Sequence, residues 1–152
     1  MVQPQIPEDV HADYENADAR AALLAFQATP DYEHLAAFLT SLREGYLVID
    51  VTGTSAKKRG ARVRTIRSTN GQLVLPIFTS MDELRAVVPA DRRDTLQGAV
   101  MVAREALALI ASDRFAAAEF DKSSAALVVL RKYVLLAAGV EPITAESLQA
   151  MR

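Results

Sequence analysis

The sequence predicts an α+β fold: a small, mainly antiparallel sheet with a central hairpin, packed by helices on one face. Three observations predict it. Apolar residues recur at helical spacing towards both ends of the chain, the middle switches to strict alternation, and Asn70-Gly71 separates two alternating runs as the preferred pair for a two-residue type I′ hairpin turn. With 152 residues, 51% of them hydrophobic and 24% charged, the chain can bury one core and keep a solvated surface. Residues 1–16 carry two prolines and no periodicity and are expected to form a flexible N-terminal arm. Residues 17–152 are expected to form a single domain.

Ala19, Ala22, Leu23 and Phe26 lie at helical spacing, so Asp18 to Ala28 should be an amphipathic helix. A second helix has Thr29 as its expected cap, Pro30 at its first position and Asp31 and Glu33 near its positive end. Its stripe is Leu35, Phe38, Leu39 and Leu42, and Gly45 ends it. Tyr46 to Val51 alternates and reads as a strand. The hairpin runs from Val63 to Thr69 and from Gln72 to Phe78, with Ile66 expected opposite Leu75. Pro76 lacks an N–H and so marks an edge or an irregularity. Ser80 and Glu83 have capping-box spacing for a helix from Met81 to Val88, which Pro89 stops. The alanine- and leucine-rich run Ala99 to Ala111 is expected to be helical, and Phe115 to Phe120 a short strand. Ser123 can cap a helix running through Leu127 and Val134 towards Ala138, although Leu127-Val128-Val129-Leu130 reads equally well as strand. Gly139 stands where a helix C-terminus favours glycine, and Thr144 can cap a last helix.

Composition excludes several function classes. There is no cysteine, hence no disulfide, thiolate metal site or cysteine nucleophile. The first residues carry no basic start and no apolar stretch of the kind a secretory signal needs. The longest apolar run, Ala125 to Val140, is interrupted by Arg131 and Lys132 and is too short for a bilayer. A cytoplasmic protein is expected. His11 and His34 are the only histidines, and neither has a second histidine three or four residues away to share a metal. Val51 to Lys58 mixes glycine, hydroxyls and lysine after a strand, as a phosphate loop does. Ala56 stands where the second glycine should be, and Lys58 follows Lys57 where a magnesium-binding hydroxyl is required. Asp82 and Glu83 are explained as first-turn charges, and Asp91 and Asp94 flank Arg92 and Arg93 as a solvated face. No metal, cofactor or catalytic set is expected.

One feature is asymmetric. Lys57, Lys58, Arg59, Arg62, Arg64 and Arg67 follow one another without an intervening acid, in a chain whose formal net charge is −2. A solvated loop and hairpin face explains them; the sharper expectation is a contact with an anionic partner through Lys57, Lys58, Arg59, Arg62 and Arg64. No aromatic residue is interleaved, as single-stranded nucleic-acid sites require for stacking.

The order of elements, the segment Leu75-Pro76-Ile77-Phe78-Thr79-Ser80 and the strand Phe115 to Phe120 running into Asp121-Lys122-Ser123-Ser124 resemble the SseB N-terminal domain family, small bacterial proteins named for enhanced serine sensitivity. The resemblance spans about Ala19 to Ala138 and departs from the family where a proline often follows the residue at Asp121. It implies an α+β domain, without the family's second domain, and no catalytic residues to carry over. The expected function is therefore a non-enzymatic, cytoplasmic binding or regulatory module that takes a protein partner or a second copy of itself. An enzyme with dispersed acids and arginines, and an anion or nucleic-acid binder using the basic segment, are the alternatives.

Overall fold

A computed structural model describes residues 14–50, 66–67, 72–87, 98–112 and 114–151. Two helices open the fold. Helix α1 spans Ala17–Ala28, capped by Asn16, whose side chain accepts from the Ala19 N–H. Ala19 and Leu23 are fully buried along its expected stripe. Helix α2 spans Tyr32–Leu42, and its cap is Asp31, which accepts from the His34 N–H. The expected cap, Thr29, instead closes α1 by donating its N–H to the Ala25 carbonyl, and Pro30 lies in the link between the helices. Thr29 is needed at the end of one helix, so the start of the next falls to Asp31, whose carboxylate is the better acceptor for first-turn N–H groups. Gly45, at φ +73°, turns the chain into the first strand; that region suits glycine because it has no Cβ.

The last three residues of the expected arm, 14–16, are held against the domain. Tyr14 donates its hydroxyl to the Tyr46 carbonyl at 2.8 Å and accepts from the Tyr46 N–H at 3.0 Å. The Met81 N–H donates to the Tyr14 carbonyl. Residues 14–16 therefore belong to the domain, and residues 1–13 lie outside the described residues.

Strand β1, Tyr46–Asp50, pairs antiparallel with β4, Gly98–Val102, so that Tyr46 faces Val102 and Asp50 faces Gly98. This corrects the helix expected from Ala99: helix α4 covers only Ala103–Ala108, followed by a 3₁₀ turn over Leu109–Ser112. The β-branched Val100 and Val102 find a partner strand in β1, and that pairing overrides the helical preference of the surrounding alanines.

The second sheet has the order β2-β3-β5-β6. Strands β2 (Ile66–Arg67) and β3 (Leu73–Ile77) form the hairpin, with Ile66 opposite Val74 and Arg67 opposite Leu73. The register is one residue away from the expected pairing of Ile66 with Leu75. A regular hairpin in this register has an odd number of connecting residues, which a two-residue turn does not supply; residues 68–71 lie outside the described residues. Pro76 stands inside the sheet, opposite Glu119, and the irregularity in its strand is a register shift between Leu73 and Val74. Strand β5, Phe115–Phe120, forms as expected and runs parallel to β3. Strand β6, Leu127–Leu130, pairs antiparallel with β5. The run Leu127–Leu130, left open between helix and strand, is therefore strand, residues 123–126 are turn and linker, and α5 covers Arg131–Ala138. Val128 and Val129 decide for strand once β5 offers a free edge.

Helix α3, Met81–Ala86, follows β3, and α6, Ala145–Ala150, closes the chain with a capping box between Thr144 and Ser147. The main core joins Leu23, Phe38, Leu39, Leu42, Leu75, Ile77, Phe120 and Val129, so the helices cover one face of the sheet. Phe38 and Phe120 meet edge to face, their centroids 5.4 Å apart, the geometry aromatic quadrupoles favour. An isolated bridge between Val48 and Phe78 joins the two sheets beside a smaller cluster of Val48, Phe78, Met81 and Leu84. Among the described residues no helix is long and apolar enough to cross a membrane.

Candidate functional site

The basic residues expected to bind an anionic partner, Lys57, Lys58, Arg59, Arg62 and Arg64, lie outside the described residues, as do His11, Asp91 and Asp94. Arg67 stands on β2 opposite Leu73. His34 is on α2, where its Nδ1 lies 2.7 Å from Asp31 Oδ1. That carboxyl is held below its ordinary range first by the backbone N–H of His34 and then by its side chain. The pair is the cap of a helix.

A polar cluster that sequence reasoning did not assemble lies where α1, the β3–α3 junction and the β5–β6 turn meet. Its centre is Asp121, which has no exposed surface. Its Oδ1 accepts from the Thr79 N–H at 2.8 Å, and its Oδ2 accepts from the Thr79 hydroxyl at 2.7 Å and from Arg20 Nη1 at 2.6 Å. Arg20 Nη1 also donates to Ser124 Oγ. Glu83 Oε1 accepts from Ser124 Oγ at 2.7 Å and from Ser123 Oγ at 3.1 Å. The expected capping box at Ser80 is thus half made: Ser80 accepts from the Glu83 N–H, and the Glu83 carboxylate turns across to the serines instead of back to its own helix. Asn16 donates its N–H to the Thr79 carbonyl, tying the start of α1 to the same junction.

A buried carboxylate is tolerable when cations and N–H or O–H donors compensate it, and Asp121 has all three kinds. Its oxygens are engaged by donors already in place, so it ties α1 to the sheet. The backbone here is unusual. Among the described residues, Asp121 and Ala126, at φ +51° and +49°, are the non-glycine residues in the left-handed region, and they bracket the β5–β6 turn. The Ser124 and Ala126 N–H groups both donate to the Asp121 carbonyl, which winds the turn tightly enough to place both serines on Glu83. The traces of this cluster in the sequence were Thr79-Ser80, read as the end of the family segment and a helix start, and Asp121-Lys122-Ser123-Ser124, read as the second family segment with Ser123 as a cap.

Beyond that turn lies a strand with two exposed apolar side chains. Strand β6 has β5 on one side and, among the described residues, no strand on the other. Val129 is 4% exposed and faces the core, whereas Val128 and Leu130 are 54% and 52% exposed. Directly opposed residues in a ladder share a sheet face, so Val128 lies beside Glu119 and Leu130 beside Ala117. On the far side of β5, Glu119 neighbours the buried Pro76. Glu119 is partly buried, and no partner engages its carboxylate among the described residues.

A cavity of about 430 Å³ opens between α1 and α2, lined by Phe26, Pro30, Asp31, Tyr32 and Leu35. Among the described lining residues the one carboxylate, Asp31, is the cap of α2, and no second charged group joins it as a catalytic pocket would require.

No curated protein matches the chain, and no solved structure matches it. The family model described as the SseB protein N-terminal domain matches residues 20–131, from Arg20 through the Thr79 junction and the Asp121 turn to the end of β6. The chain belongs to the SseB N-terminal domain family.

Proposed function

We propose that this domain is a non-enzymatic binding module of the cytoplasm that holds a protein partner along β6. One observation carries the reading: an outer strand, Leu-Val-Val-Leu, with more than half of Val128 and Leu130 open to solvent. Edge strands are templates for pairing, and folded proteins usually blunt them with lysine, proline or a bulge. The four residues of β6 include none of these. Partner proteins use such edges by adding a strand, with main-chain hydrogen bonds for affinity and alternate side chains for specificity. The engaged state of Asp121 and the sparse charge of the α1–α2 cavity support binding over catalysis.

The test is affinity capture from a bacterial lysate with the native chain and with the double variant V128E/L130E, matched for unfolding midpoint. The reading expects a partner retained by the native chain and lost by the variant. Retention by both contradicts it. A partner whose capture depends on Lys57, Lys58 and Arg59, and weakens steeply with salt, would favour the basic segment instead.

A further inference from the structure

We infer that the strand taken up by β6 is an extended, apolar segment of another protein that carries a lysine or arginine for Glu119. The inference rests on β6 being the docking edge, and it adds the chemistry of the occupant. Glu119 is the only charged residue among those the strand register places on this part of the sheet face, with Pro76 on one side and Val128 on the other. The groups that compensate Asp121 and Glu83 are Arg20 on α1, Thr79 at the β3–α3 junction and Ser123 and Ser124 of the turn, and none engages Glu119. A carboxylate set in apolar surroundings favours a partner of opposite charge over a neutral one. A strand added to β6 lies two strand spacings from β5, about 10 Å. A lysine or arginine side chain opposite Val128 bridges that distance to a glutamate, and its aliphatic stem covers Val128 on the way.

The other available occupant is a second copy of the chain. Pairing the four residues of β6 with their own copy sets only leucine and valine beside Val128, with no base for Glu119. A four-residue strand, about 13 Å long, also falls far short of the roughly 1,200 Å² that a stable interface buries. A flexible segment of another protein needs only part of that area, since it binds weakly and adapts to the edge.

Three soluble ten-residue peptides alternating valine and threonine, with Lys, Gln or Glu at one central position of the valine face, provide the test. Their binding is measured by fluorescence anisotropy to the full chain and to E119Q and V128S/L130S. We expect the Lys peptide to bind about fivefold more tightly than the Gln peptide, and the Glu peptide more weakly than either. The Lys preference should vanish in E119Q and shrink as salt rises. All three peptides should lose affinity for V128S/L130S. Equal binding of the three peptides, still lost in V128S/L130S, overturns the charge assignment and leaves the edge standing. Binding insensitive to V128S/L130S, or no binding at all, overturns both. A dimer of the native chain in sedimentation that V128S/L130S dissociates identifies the second copy as occupant and overturns the inference.

Discussion

Asp121 carries the largest single-residue consequence. Replacing it with alanine removes the acceptor for the Thr79 N–H and hydroxyl and leaves Arg20, only 24% exposed in its side chain, beside an empty site. Breaking a buried, hydrogen-bonded charge pair from one side costs about 3 kcal/mol, and denaturant titration should show that loss with an unchanged slope. Asp121→Asn keeps an acceptor and tolerates the left-handed backbone, so it should cost less than the alanine. Ala126 predicts the opposite sign. At φ +49° it bears the steric cost that glycine does not, and Ala126→Gly should raise stability by up to about 1 kcal/mol. Asp31 supplies a pH dependence. Its carboxyl is held below the ordinary value by His34, so its contribution is complete above the unfolded pKa, near ~3.9, and is lost as pH falls through the lower folded value. The midpoint difference between the native chain and Asp31→Asn should therefore be present at neutral pH and close in strong acid. None of the Asp121 contacts was legible beforehand. Arg20 and Asp121 are 101 residues apart, and Thr79 sits on a different element from both, so no local spacing links them.

At the scale of elements, the strand that the sequence misassigned, β4, and the one it left open, β6, share one cause. The segment at β4 lies in an alanine-rich run, and β6 precedes a genuine helix. Both were strands because β1 and β5 presented edges, which is tertiary information. The elements read correctly, α1, α2 and β5, carry a periodicity or a polar boundary of their own. Burial within β6 allows a contrast. Val129→Ala removes side chain from the core and should cost about 2 kcal/mol. Val128→Thr, at an open position, should change stability by less than about 0.5 kcal/mol. Two glycines behave differently for the same kind of reason. Gly45 has φ +73°, and Gly45→Ala should cost about 1–2 kcal/mol. Gly139 closes α5 at φ −85°, and a Cβ there would meet the Leu136 carbonyl oxygen at 3.4 Å, so Gly139→Ala should be close to neutral. Equal effects at the two positions would show that the turn after α2 does not need its left-handed residue.

For the molecule as a whole, one set of interactions builds the scaffold and another is left open. The Asp121 cluster clamps α1 and the β3–α3 junction to the turn that launches β6, so the strand starts from a rigid support although its outer side meets no strand among the described residues. The fold class and family were legible because the Leu-Pro-Ile-Phe-Thr-Ser segment and the residues at Asp121 are local patterns. The open side of β6 was not, because an edge is defined by its neighbours in space, and among the described residues β6 has a strand on one side only. The central claim is that β6 is held ready for a partner strand. Amide hydrogen exchange over Leu127–Leu130, measured with and without the captured partner, tests it most directly. The account predicts that amides pointing away from β5 exchange quickly in the free protein and become protected on binding. Protection of those amides in the free chain, or protection on binding that spares β6 and falls on residues 57–64, would contradict it.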